Sequence, residues 1–123
     1  MDLKIHPVNP TFQYKSVLKK DFRRGLIPLK RGGYGDKLVR GEETVEHIIP
    51  KSKGGKSNIF NYMLVSLKQN QKRGNRPFKD FVKLEPLLEY FSVMLDVKTE
   101  DIDGVEYVKG IIKTMLKALR EGK

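Results

Sequence analysis

The chain has no cysteine, and only two of its 123 residues are histidine. The first absence excludes a disulfide framework and any zinc site built on thiolates; the second leaves too few imidazoles for a zinc site built on nitrogen. Any metal must therefore draw mainly on oxygen ligands. Long apolar stretches are missing too. The longest, such as Tyr62 to Val65, falls far short of the roughly 20 apolar residues that cross a bilayer as a helix, so no membrane partner is expected. The opening MDLKIHPVNP lacks the apolar segment and small-residue cleavage site of a secretory signal, and a cytoplasmic protein is the expectation. No repeat or low-complexity segment appears, and the length suits a single domain, 1–123, with its own core.

Acid is scarce where base is plentiful. The net charge is +10; residues 1–40 carry ten Lys or Arg against three acids, and residues 51–76 carry seven bases and no acid. Between them, residues 41–50 hold three acids and no base, while 77–123 are nearly balanced, with eight bases and nine acids. A basic surface around one acidic spot points to a polyanion as partner, with a cation site inside it. A solvated basic surface without a partner is the competing reading.

Residues 1–12, with Pro7 and Pro10, read as extended, an arm or a packed edge, and His6 within them has no companions that suggest a function. Tyr14, Val17, Leu18 and Phe22 stand at helical spacing before Gly25, which predicts a short helix over 14–24. Residues 26–41, with Pro28, Gly32, Gly33 and Gly35, read as turns with at most a hairpin. The β-branched run Thr44 to Ile49 stops at Pro50 and predicts a strand; a basic glycine loop follows, and Tyr62 to Val65 is the returning strand. Ser66 and Gln69 have capping-box spacing ahead of a helix that stops near Gly74.

Two amphipathic helices are expected in the tail. Pro86 suits a first helical position, with Leu87, Leu88, Phe91, Met94 and Leu95 on one face. Asp103 and Glu106 have a second capping-box spacing, ahead of a stripe of Val105, Val108, Ile112, Met115, Leu116 and Leu119. The stripes are expected to pack onto the strand hairpin; a homodimer through these C-terminal helices is the alternative use.

Chemistry concentrates at Glu46, His47, Asn61 and Asn70. Neighbours on a strand point to opposite faces, so Glu46 and His47 share a site only where the strand ends or bends, which Pro50 allows. A helix from Ser66 packed across the hairpin would turn Asn70 toward that end, where a carboxylate and an amide oxygen suit a hard divalent cation. The bland alternatives are a structural histidine at 47 and an ion pair between Glu46 and a nearby lysine. Asn58 competes with Asn61 for the central position, but spacing favours Asn61, and Asn58 suits a cap or turn.

The stretch EHIIPKSKGG, then Asn61, then NQKRGNRPF resembles the HNH endonuclease motif: an acid and His, a central Asn, and a final His or Asn followed by bases and Gly-Asn. The resemblance covers residues 42–78, leaving 79–123 as a helical extension. It implies an α+β protein with a ββα-metal core. His47 would be the general base that takes a proton from the attacking water, and Asn61 would position the loop beside it. Glu46 and Asn70 would hold one divalent metal, Mg²⁺ or Mn²⁺, at the scissile phosphate. Lys51, Lys53, Lys56, Lys68, Lys72, Arg73 and Arg76 would contact the phosphates of DNA, double-stranded by expectation, with Lys72 and Arg73 nearest the cut. Two departures stand out. The CxxC pairs that hold a structural zinc in many relatives are absent, so packing must hold the fold, and the last motif position is Asn70 instead of His, which favours oxygen-loving ions. A non-catalytic DNA-binding module of this fold, or a metal-dependent ribonuclease or toxin, are the alternatives.

Overall fold

The computed structural model describes residues 14–123; the expected arm, with His6, lies outside the described residues. The architecture mixes helix and sheet. Helix α1 (Tyr14–Arg23) buries Leu18 and Phe22, one turn apart, and is followed by irregular chain with one isolated bridge, Arg31 to Lys37. Strand β1 (Glu43–His47) and strand β2 (Tyr62–Ser66) pair antiparallel, with Glu43 opposite Ser66 and His47 opposite Tyr62. Helix α2 (Leu67–Arg73) leaves β2 directly, and helices α3 (Leu84–Leu95) and α4 (Gly104–Glu121) pack antiparallel on one another, Tyr90 against Tyr107 and Met94 against Gly104.

Local chemistry accounts for the boundaries. Strand β1 ends at His47, two residues before the expected end: Ile48 still donates to the Asn61 carbonyl at 2.9 Å, but the Asn61 amide turns away to the Asn58 carbonyl at 3.0 Å and leaves that pair one-sided. Gly55 is required in that loop: a Cβ there would lie 1.7 Å from the Ile49 carbonyl oxygen. At α2 the Ser66 hydroxyl accepts from the Gln69 amide at 3.1 Å, while the Asp36 carboxylate accepts from the Ser66 amide. The Asp103 carboxylate accepts from the Val105 and Glu106 amides and caps α4. Pro86 stands third in α3, not first, because the helix opens a turn's fraction earlier at Leu84.

Met63, Leu64 and Val65 of β2 are fully buried, and the core extends from them to Leu18, Ile27, Phe78, Met94 and Ile111. Two buried tyrosines fasten the tail to the sheet. Tyr107 donates to the Tyr62 carbonyl at 2.6 Å and lies 2.8 Å from the Tyr90 hydroxyl, which accepts from the Leu64 amide at 3.0 Å. Burial raises both phenol pKa values, Tyr90 to about 12, so both remain donors. The packed face of α4 is Tyr107, Val108, Ile111, Met115 and Ala118. This corrects the expectation for the tail: Val108, Met115, Leu87 and Met94 are core, but Leu88, Leu95, Val105, Ile112, Leu116 and Leu119 are exposed.

Candidate active site at the end of the strand hairpin

His47 is the last residue of β1 and is half-buried, its ring edge-on to Tyr62 at 5.1 Å between centroids. The loop beside it is pinned by Asn61, 3% exposed, whose Oδ1 accepts from the Ile49 amide at 2.9 Å. Its Nδ2 donates to the carbonyls of Ile49 and Lys56, each at 3.0 Å. One amide thus closes both legs of the loop that follows His47. Asn58 caps the short turn Ile59–Asn61 by accepting from the Phe60 amide.

Glu46 faces the other way, as strand alternation dictates. Its Oε2 accepts from the Tyr34 hydroxyl at 2.6 Å and from Arg73 Nη1 at 3.2 Å, in a pair that is almost wholly buried. Burial raises the Glu46 pKa above the ordinary carboxylate range; the Tyr34 and Arg73 donors act against that rise, and the Asp36 charge adds to it. The Tyr34 phenol is raised well beyond its usual value, first by burial and then by the Glu46 charge, so it remains a donor. Asn70 lies over the same face of β1, its Nδ2 3.4 Å from both Thr44 Oγ1 and the Val45 carbonyl.

Arg73 corrects the sequence reading most sharply. Expected at phosphate near the cut, it is 1% exposed. Its Nε donates to the Arg76 carbonyl at 2.8 Å, its Nη1 also to the His47 carbonyl at 3.0 Å, and its Nη2 to the Lys123 main-chain oxygen at 3.1 Å. It is an internal cross-link between β1, α2 and the end of α4. The planar five-donor guanidinium suits that task where a lysine would not. The other six bases stay at the surface: Lys51, Lys56, Lys68, Lys72 and Arg76 are exposed and Lys53 is half-exposed.

The donor set does not fit a divalent cation as it stands. A metal on Glu46 would sit against the guanidinium already bonded to that carboxylate, and two like charges at that distance repel strongly in a buried site. Among the described residues, no group of three or more His, Asp or Glu side chains is arranged to hold a metal. The ion pair foreseen as the bland fate of Glu46 is present, with an arginine in place of a lysine. Tyr34 escaped the sequence reading altogether. Its only signal was an aromatic residue set in a glycine turn, GGYGD, where Gly33 approaches Met63 so closely that a Cβ would lie 2.0 Å from the sulfur.

In comparisons with family models, curated proteins and solved structures, none matches the chain.

Proposed function

We propose that the protein is an HNH-type endonuclease acting on DNA, with a ββα core over residues 42–78 and His47 as general base. The observation that supports this best is the loop geometry: His47 ends β1 and Asn61 closes the loop directly after it, while Asn70 lies with Glu46 over the opposite face of the strand. In the reaction, His47 takes a proton from water as the water oxygen bonds to phosphorus. The bond from phosphorus to the 3′ oxygen breaks, and that oxygen takes a proton from solvent, leaving 5′-phosphate and 3′-hydroxyl ends. Lys51, Lys53 and Lys56 on the loop, with Lys68, Lys72 and Arg76 on and after α2, hold the nucleic-acid backbone without reading its sequence.

One observation favours a second reading. With Glu46 neutralised by Arg73, the fold suits a module that binds nucleic acid and does not cut it. Supercoiled plasmid incubated with the unaltered chain and with His47→Ala, each in Mg²⁺, Mn²⁺ or EDTA, separates the two. Nicking or linearisation by the unaltered chain that His47→Ala abolishes supports the nuclease. Intact plasmid in every metal, together with salt-sensitive retardation of the DNA, supports the binding module, and cleavage confined to an RNA substrate moves the reading to a ribonuclease.

A further inference from the structure

The outer face of the tail is apolar where a lone domain would be polar. On α3, Leu84, Leu88 and Leu95 are 70%, 55% and 44% exposed. On α4, Val105, Ile112, Leu116 and Leu119 are between 36% and 50% exposed. At about 100° per residue each set is one stripe. Contacts elsewhere place both stripes along the groove between the helices. The far flank of α4 is covered by Phe60, whose ring occupies the space beside Gly110. On α3, Glu89 and Val93 border the segment Pro28 to Arg31, and Pro86 touches Gly35. The stripes therefore lie on the remaining side, next to one another.

The rims of this apolar groove carry opposite charge. Outside the α3 stripe stand Glu85 and Asp96, with Glu89 further round toward Pro28–Arg31, all exposed; outside the α4 stripe stand Lys109, Lys113 and Arg120, also exposed, with Glu106 beside them 3.7 Å from Lys109. The hydroxyl contact of Tyr90 with Tyr107 and the packing of Gly104 on the Met94 carbonyl set the register of the two helices. That register puts Glu85 level with Lys113 and Glu89 level with Lys109.

We propose that a second copy of this chain covers the groove, two α3–α4 hairpins forming a four-helix bundle about a two-fold axis that runs along the groove. Rotation about that axis sets α3 of one copy over α4 of the other at the same level, so each acidic rim meets the other copy's basic rim and the contact occurs twice. A two-fold axis across the groove would set α3 on α3 and acid on acid, and the charges disfavour it. The face is about 20 Å along and about 20 Å across, so pairing hides on the order of 1,000 Å² in all, about the least that a specific interface buries and below the range of tight ones. The inference rests on the tail surface and is independent of the nuclease reading.

Light scattering after gel filtration tests it, because the altered charges are exposed and circular dichroism verifies the fold of each variant. The unaltered chain should run at twice its 14.2 kDa mass. Glu85→Lys with Glu89→Lys, and separately Lys109→Glu with Lys113→Glu, should each weaken self-association about tenfold or more, since each juxtaposes like charges. An equimolar mixture of the two variants should recover the two-chain mass. The proposal is overturned by an unaltered chain that stays at 14.2 kDa at every concentration, by folded variants that pair as well as it does, or by species that grow beyond two chains.

Discussion

Replacing Arg73 by methionine keeps most of the side-chain volume and removes the guanidinium. What remains is Glu46, its side chain 4% exposed, with the Tyr34 hydroxyl as one donor and, among the described residues, no ion-pair partner. The carbonyls of His47 and Lys123 lose a donor as well, while that of the exposed Arg76 can turn to water. Breaking a buried ion pair from one side costs about 3–5 kcal/mol, a large share of the roughly 5–15 kcal/mol that holds a domain together. The pH dependence fixes the cause. Burial already raises the Glu46 pKa, so its contribution to stability falls as pH rises from the ordinary carboxylate range through the raised folded value. Without Arg73 that value rises further, and the loss should be smaller near about pH 5 than near about pH 8. Urea unfolding followed by circular dichroism at both pH values measures it. Adding Glu46→Gln should recover about 2 kcal/mol or more of the loss, since the double variant buries no lone charge. A loss under about 1 kcal/mol, or additive effects of the two substitutions, would refute the account of Arg73 as the internal counter-charge of Glu46.

Two further outcomes follow from the same geometry. Asn61→Ala strips three hydrogen bonds from the buried legs of the loop and should cost about 2–4 kcal/mol in urea unfolding; if the nuclease reading holds, plasmid cleavage should fall even where the variant is fully folded. Asp103→Ala removes the cap of α4 and should cost about 1 kcal/mol. Hydrogen bonds from the Glu106 amide and Lys98 hold the Asp103 pKa below its usual value, so this contribution is present above the ordinary aspartate range and is lost as pH falls through the lowered value. A thermal-melt series in acid should therefore show unaltered and Asp103→Ala chains converging.

Most of the elements were legible because their signals are local. The Ser66 and Asp103 caps act within a single turn, Pro50 and Asn61 bound the loop, and the returning strand is apolar from Tyr62 to Val65. A positional role for Asn61 was implied only by the resemblance of the motif; its bonds to the Ile49 amide and to the Ile49 and Lys56 carbonyls depend on how the loop folds back and had no local signal. The partners of Glu46 were not readable. They come from positions 34 and 73, on either side of it in the chain, and a run of bases at 72, 73 and 76 gives no sign that its middle member turns inward while its neighbours face solvent.

The tail shows a different limit, and a way past it. Periodicity located both helices, yet it merged two stripes in α4 that lie about 100–120° apart around the axis, one centred on Ile111 and one on Ile112 and Leu116. Only the first is packed. Together they make an apolar arc of about 180°, wider than the roughly 100° stripe that a single packed face needs. An arc of that width in a helix at the edge of a small domain calls for a second surface, and the opposite charges on the two rims supply the criterion for which surface that is.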